Sequence, residues 1–136
     1  MWAADPDYEH VVSMGPNDIE MHFFYQKDSL TKNWELLPEY TAKAFTIMND
    51  RFGMYPYKKY SVIQGGDGGM EYAMGTLITG QRGLGSLVGV TVHELIHSWY
   101  QFALATNESL YPWMDEGFTS YASSIVMNEL FPGRTE

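Results

Sequence analysis

Two histidines stand four residues apart in the segment His93-Glu94-Leu95-Ile96-His97. On an α-helix, residues four apart lie on the same face, so both imidazoles can present a nitrogen to one ion about 2 Å away. Glu94 is rotated by about 100° from His93 on such a helix, which places its carboxylate beside the ion and not on it. The segment therefore predicts two metal ligands next to a general base.

Glu116 is the candidate for a third ligand. Hydrolytic zinc sites use three protein ligands and keep a fourth position open, and two histidines with a glutamate are a common set. Eighteen residues separate Glu116 from His97, enough to end one helix, turn and bring the next helix back beside the histidines. With zinc bound, we expect water to lose a proton to Glu94 and to attack a carbonyl polarised by the ion, which is peptide or ester hydrolysis.

The composition limits the other functions that this chain could have. Eight Lys and Arg against seventeen Asp and Glu give a net charge of −9, so we expect no nucleic-acid partner and no attraction to anionic lipids. The absence of cysteine excludes a thiolate zinc site. No apolar run approaches the roughly 18 residues that cross a bilayer, so no membrane insertion of this segment is expected.

Hydrophobic periodicity predicts the elements that position the site. Period-two alternation indicates a strand over residues 19–26, and further strands are expected over 59–64 and 70–79, while everything before residue 19 is interpreted as loop or tail. Helices are predicted over residues 34–52, 86–106 and 113–130. This order of strand, helix, strands, helix, helix predicts a single α+β domain.

Two of these helices carry the predicted ligands. The helix over 86–106, capped by Ser86, is apolar on most faces and should lie in the middle of the fold. Pro112 opens the following helix. Its expected buried stripe comprises Phe118, Tyr121, Ile125 and Leu130.

Other features of the sequence favour plainer interpretations. The glycine cluster at residues 65–69 lacks the Lys and the Ser or Thr of a phosphate-binding loop, so a nucleotide site is disfavoured. The glycines at 80–89 do not match the dinucleotide-binding spacing. His10 and His22 are expected to be structural or exposed.

Three motifs together suggest a family. They are Gly68-Gly69-Met70-Glu71, then the histidine segment followed by Trp99, and then Trp113-Met114-Asp115-Glu116-Gly117-Phe118 with Tyr121 behind it. In these motifs and their order the chain resembles the gluzincin zinc aminopeptidases, which include the alanyl aminopeptidases and leukotriene hydrolase. The resemblance extends over most of the chain.

The resemblance implies one zinc ion per chain and a role for each motif residue. The zinc ligands would be His93, His97 and Glu116, the base would be Glu94, and the substrate-binding residues would be Gly68, Gly69, Met70 and Glu71. A carboxylate at Glu71 would pair with the free α-amino group of a peptide and reject internal peptide segments. The glycine backbone would lie against the bound peptide.

The chain also departs from the family pattern. Tyr72 replaces the asparagine that follows the motif glutamate, and Asp115 replaces the asparagine before the zinc-binding glutamate. After the second histidine, the family's Gln-Trp-x-Gly is Ser98-Trp99-Tyr100-Gln101 here. We expect these changes to affect substrate preference more than metal binding.

The resemblance also implies a fold: the thermolysin-like N-terminal lobe, with a mixed twisted sheet on a central zinc-binding helix and a following helix. Residues 1–136 would be one partial metallopeptidase catalytic domain, with 1–18 as the exit from a preceding β domain. The helical lobe and the downstream tyrosine that stabilises the oxyanion would lie outside this chain. The chain alone is therefore expected to be poorly active.

The sequence thus predicts a metalloaminopeptidase acting on peptides with a free N-terminus, completed by the remaining domains of a longer parent chain. A non-catalytic peptidase-like domain with a peptide-binding or structural role is the first alternative, and the intact Glu94 argues against it. A gluzincin endopeptidase is the second, and Glu71 argues against that.

Overall fold

The fold is α+β, with one five-stranded mixed sheet and three helices. A computed structural model describes residues 1–66 and 68–133. The strands are β1 (Tyr8–Met14), β2 (Glu20–Gln26), β3 (Lys59–Gly65), β4 (Gly69–Tyr72) and β5 (Gly75–Thr79). The helices are α1 (Leu37–Phe52), α2 (Leu84–Leu104) and α3 (Pro112–Leu130). The predicted fold class is confirmed at this level.

The strands lie in the order β1-β2-β3-β5-β4, so β1 and β4 form opposite edges of the sheet. β1 is antiparallel to β2, β2 and β5 are parallel to β3, and β4 is antiparallel to β5. Alternate side chains of β2, namely Met21, Phe23 and Tyr25, are buried, as expected for a strand with one covered face. α2 packs against β4 and β5, which places this helix beside one edge of the sheet.

α1 begins and ends as its sequence suggests. Pro38 lies in the first turn, where a missing backbone N–H costs nothing. Gly53 follows the last turn with a φ of 111°, a conformation that favours glycine. Just before the helix, a short 3-10 turn buries Trp34, whose indole N–H donates to the Gly80 carbonyl at 2.9 Å. This bond fixes the start of α1 against the loop that leads into α2.

Two strand predictions were wrong. Residues predicted as loop contain β1, which pairs with β2 along its whole length although its side chains are mostly exposed. The continuous strand predicted over residues 70–79 is a hairpin, β4 and β5, reversed at Met74, which has a φ of 58°. Both differences arise from backbone pairing, which hydrophobic alternation does not report at a half-exposed edge.

The two ligand-bearing helices also differ from expectation. α2 starts at Leu84 with Gly83 at its N-cap, and Ser86 accepts a hydrogen bond from Arg82 and does not cap the helix. The buried residues of α3 are not the predicted apolar stripe but Asp115, Thr119, Ala122 and Val126. Phe118 and Tyr121 are 50% and 64% exposed. The face of α3 that carries small and polar residues packs on α2, because the groups that form hydrogen bonds with α2 lie on that face.

Among the described residues, no helix has the length and apolar character required to cross a bilayer.

Candidate metal centre

α2 brings the two histidines of the predicted pair together. His93 and His97 lie one helical turn apart, and their Nε2 atoms are 3.2 Å from each other. His97 is fully buried, whereas His93 is half-buried. Burial and the neighbouring His97 lower the pKa of His93, which favours the neutral imidazole that a metal ion requires.

Glu116 reaches this pair from the beginning of α3. Its Oε2 lies 3.1 Å from Nε2 of His93, and its Oε1 lies 3.6 Å from Nε2 of His97. The three residues can therefore offer ligand atoms to one ion. Because the Glu116 side chain is largely exposed, the cluster opens to solvent on this side, where a substrate could enter.

Glu94 lies inside the fold beside the cluster. The residue is only 5% exposed, and its Oε2 has no hydrogen-bond partner among the described residues. Burial, followed by the charges of Glu71 and Glu116, raises the pKa of Glu94 to about 7. A carboxyl group with this pKa can exchange a proton near neutral pH.

Gly69 leaves the space that the Glu94 carboxylate fills. A Cβ atom at position 69 would lie 2.6 Å from Oε1 of Glu94 and 2.7 Å from a methyl carbon of Val90. Both distances are shorter than van der Waals contact. A side chain at position 69 would therefore displace the Glu94 carboxylate and the Val90 methyl group from these positions.

The other substrate-binding candidates lie on the same edge. Glu71, half-buried on β4, places a carboxylate oxygen within 4.8 Å of ligand atoms of His97 and Glu116. The Gly68 carbonyl accepts a hydrogen bond of 2.5 Å from Arg82, which ties the glycine-rich loop to the start of α2. Met70 is exposed. The structure thus places Glu71 at the cluster, with the loop that precedes it alongside.

Asp115, which in the sequence is only a departure from a motif, lies beside the histidine pair. It is buried, and its Oδ2 lies 3.5 Å from Nδ1 of His97, the ring nitrogen that faces away from Glu116. Burial, followed by the charge of Glu108, raises the pKa of Asp115 to about 7. Metal-binding histidines commonly direct their second nitrogen at such a carboxylate, so its position directly before Glu116 was an available signal.

Two further departures from the motif connect α2 to its neighbours. Ser98 donates from its hydroxyl to the Tyr72 carbonyl at 2.9 Å, which links α2 to β4. Gln101 donates from Nε2 to the Asp115 carbonyl and to the Thr119 hydroxyl, both at 2.8 Å, which links α2 to α3. These two side chains hold the elements that carry Glu71 and Glu116 against the histidine helix.

The electrostatics of the cluster favour a cation. The carboxylates of Glu71, Asp115 and Glu116 converge on the buried His97. After burial, the charges of Glu71 and Glu116 contribute to the raised pKa values of Glu94 and Asp115, and a divalent ion would offset these charges. Together with the two imidazoles, this is a donor set of nitrogen and oxygen atoms that fits a divalent metal ion.

An apolar cavity lies apart from the cluster. It has a volume of about 480 Å³ and lies between α2, α3 and the end of α1. Its walls include Phe52, Trp99, Tyr100, Phe118 and Tyr121, and no member of the histidine cluster lines it.

Comparison with known proteins shows a likeness of fold. No model of a protein family matches the chain, and no curated protein matches it. A solved structure with a similar fold is that of Legionella pneumophila aminopeptidase A in complex with aspartic acid, with a TM-score of 0.74 and 15% sequence identity. The match covers 92% of this chain and 17% of that one, so the chain spans a small part of the length of this structural neighbour.

The assignment to the gluzincin zinc aminopeptidases is therefore wrong. It depended on three short motifs, whereas no family model supports membership and a structural likeness at 15% identity shows the fold alone. The physical reason is that short motifs specify the local geometry of ligands on a helix, and such geometry recurs in chains of different origin.

Proposed function

We propose that this chain binds one zinc ion through His93, His97 and Glu116 and hydrolyses peptide bonds. The observation that carries the proposal is the spacing of the ligand atoms: Nε2 of His93 lies 3.2 Å from Nε2 of His97 and 3.1 Å from Oε2 of Glu116, and the other Glu116 oxygen, Oε1, lies 3.6 Å from Nε2 of His97. Ligands bound tetrahedrally to zinc at 2.0–2.1 Å lie about 3.3–3.4 Å from one another. The cluster thus has close to the spacing of a three-ligand zinc site.

Glu94 would act as the proton carrier. A zinc ion bound at this cluster supplies Lewis acidity, which polarises a carbonyl and makes water more acidic. Glu94 then accepts a proton from water at its carboxylate and delivers it to the departing amine. Its burial keeps the carboxylate close to the cluster and limits competing water, and its unpartnered Oε2 is available for the proton.

Glu71 makes removal of N-terminal residues the preferred form of this activity. A carboxylate on the edge strand beside the cluster can pair with the ammonium group of a peptide's first residue. The backbone of Gly68, Gly69 and Met70 would lie along that peptide, since β4 is an edge strand with groups available for pairing. An internal peptide segment has no ammonium group to satisfy Glu71.

We also propose that the chain is the sheet-containing lobe of a larger, thermolysin-like catalytic domain. The small share of the Legionella aminopeptidase A chain that it matches supports this proposal. So do the exposed aromatic residues Trp113, Phe118 and Tyr121 on α3, which further protein could cover. The isolated chain is then expected to bind zinc but to turn over peptides slowly.

Metal content tests the ligand set. We expect about one zinc per chain after dialysis of the purified protein, and a loss of affinity of at least about 100-fold in Glu116→Ala. Glu129→Ala is the matched control, because Glu129 is on the same helix but pairs with Arg51 at the surface. Equal zinc content in all three proteins would remove Glu116 from the site.

Hydrolysis tests the roles of Glu94 and Glu71. Peptides with a free amino terminus should be cleaved one residue at a time in the presence of zinc, and the same peptides with an acetylated terminus should not. Glu94→Gln should abolish cleavage while retaining zinc. Equal cleavage of acetylated peptides would indicate an endopeptidase, and zinc and peptide binding without any cleavage would indicate a non-catalytic module.

A further inference from the structure

The four histidines of this chain form two pairs, and only one of them belongs to the candidate metal centre. The second pair is His10 on β1 and His22 on β2. β1 is the sheet edge opposite to β4, which carries Glu71, so the two pairs lie on different parts of the molecule.

The nitrogens of the second pair point at each other. Nε2 of His10 lies 2.8 Å from Nδ1 of His22, and the two ring planes differ by only 16°. Phe24 stacks on His10 with ring centroids 4.2 Å apart and planes at 8°, which holds the His10 ring in this orientation. His10 is exposed, so solvent has access to the pair.

A carboxylate fixes the tautomer of His22. Nε2 of His22 donates to Oε1 of Glu20 at 2.6 Å, which leaves Nδ1 as the acceptor that faces His10. Lys59 contacts the same Glu20 oxygen at 3.1 Å. A histidine whose second nitrogen donates to a carboxylate is the usual form of a metal-binding imidazole.

We propose that His10 and His22 form a second metal site, which binds a divalent transition ion such as Ni²⁺ or Cu²⁺ through Nε2 of His10 and Nδ1 of His22. Two ligands at about 2.0–2.1 Å that meet at 90° lie about 2.8–3.0 Å apart, whereas tetrahedral ligands lie about 3.3–3.4 Å apart. The 2.8 Å separation fits the 90° geometry that Cu²⁺ and Ni²⁺ favour. Solvent would supply the remaining ligands.

Ion binding requires one proton to move and none to be lost. In the metal-free pair, the proton on Nε2 of His10 is shared with Nδ1 of His22. When an ion takes both lone pairs, that proton moves to Nδ1 of His10, the other tautomer of the neutral ring. His22 keeps its proton on Nε2, donated to Glu20.

Calorimetric titration of the untagged 136-residue chain with Ni²⁺ at pH 7.5, after zinc loading, tests the site. We expect about one Ni²⁺ per zinc-loaded chain, binding at least about tenfold weaker in His10→Ala and in His22→Ala. Glu20→Gln should weaken binding by up to about tenfold without abolishing it, since it removes the charge of the acceptor that holds Nε2 of His22 but leaves an oxygen that can accept the same hydrogen bond. Val12→Ala, an exposed change on the same strand, is the control and should have no effect.

Paramagnetic broadening by Ni²⁺ of amide signals locates the ion independently of any variant. Signals from β1 and β2 around residues 10 and 22 should weaken first. Broadening centred on α2, or Ni²⁺ binding unchanged in both histidine variants, would overturn the second site. Zinc binding at the first pair is measured separately with Glu116→Ala, so Ni²⁺ binding unchanged in both histidine variants would leave the proposed hydrolytic function unaffected. Unchanged zinc binding in Glu116→Ala would in turn leave the second site unaffected.

Discussion

Glu94 is a carboxyl group that the fold keeps away from water and next to other acids. Its neighbours Glu71 and Glu116 add to the effect of burial, so that the folded, metal-free protein binds a proton at Glu94 more tightly than the unfolded chain does. The stability of the metal-free protein should therefore depend on pH in a defined direction.

Glu94 should destabilise the metal-free fold as pH rises. Its pKa is about 7 in the fold against an ordinary value of 4.5, so its cost is absent below about pH 4.5 and complete above about pH 7. The cost is roughly 3 kcal/mol. In the presence of a chelator, thermal unfolding of Glu94→Gln should show a higher melting temperature than wild type at pH 8 and the same one at pH 4.5.

Glu129→Gln, which changes an exposed carboxyl group, serves as the control and should follow the wild-type curve. If the melting temperatures of wild type and Glu94→Gln changed with pH in the same way, the fold would not raise the pKa of Glu94.

Glu71 acts on the substrate in our proposal and not on the metal. Glu71→Gln should raise KM for a peptide with a free amino terminus by roughly 10-fold or more, because a charge-assisted bond to the ammonium group is replaced by a neutral one. Zinc affinity should change little. Steady-state kinetics measure KM, and a zinc titration measures the affinity for zinc. If Glu71→Gln also lost zinc affinity, Glu71 would be a metal ligand.

At the scale of elements, α2 organises the site through polar side chains placed one turn or less after His97. Ser98 bonds to the strand that carries Glu71, and Gln101 bonds to the first turns of the helix that carries Glu116. In a motif comparison these positions are only mismatches. In the fold they fix the distance between a histidine helix and the two elements that complete its cluster.

Gln101 should influence zinc affinity without touching the ion. Gln101→Ala removes both bonds to α3 and leaves the buried Asp115 carbonyl without this partner, which should cost about 1–3 kcal/mol of stability. Because Glu116 follows Asp115, we expect zinc affinity to fall by about 10-fold. Competition for zinc with a coloured chelator would measure this affinity.

Thr91→Val is the matched control for this change. Thr91 is a buried polar residue of the same helix, but its hydroxyl bonds to the Leu87 carbonyl within α2. It should reduce stability without reducing zinc affinity. If both variants weaken zinc equally, general loosening of the helix and not the link to α3 explains the effect of Gln101.

At the scale of the whole molecule, the candidate ligands come from two helices and depend on a third element, the β4 edge strand. An ion bound by α2 and α3 ties these helices together, and the unfolded chain has no preformed site. Binding of zinc therefore stabilises the folded state by mass action, by about 2.7 kcal/mol when zinc is present at 100 times its dissociation constant.

Removal of zinc should lower the melting temperature of the chain by about 10 °C, since one kcal/mol corresponds to roughly 3–5 °C for a domain of this size. Calorimetry with zinc and with a chelator measures the difference. Glu116→Ala should melt at the same temperature in both conditions. An equal response of Glu116→Ala and wild type would place the stabilising ion elsewhere.

The apolar face between α2 and α3 is also a property of the whole molecule. Large side chains that periodicity assigned to the core, Phe118 and Tyr121, are exposed around the 480 Å³ cavity. A sequence pattern identifies which residues are apolar but not which of the available faces a neighbouring helix covers. The apolar stripe of α3 was mispredicted for this reason.

The sequence by itself determined the parts of this protein that depend on spacing along one element. The four-residue interval between His93 and His97, the alternation in β2 and the proline at the start of α1 each fix a local geometry, because helix and strand periods are properties of the backbone. Helix existence and type were therefore predictable for all three helices, and so was the α+β class.

Only the tertiary structure decided which residues of different helices and strands come into contact. From the sequence, Asp115 and Gln101 were only departures from a motif, and His10 and His22 were expected to be structural or exposed. Their partners lie on other elements: Nδ1 of His97 for Asp115, the start of α3 for Gln101, and each other across a strand pair for His10 and His22. Such contacts depend on strand pairing and on the rotation of one helix against another, which are set by long-range packing that no local period encodes.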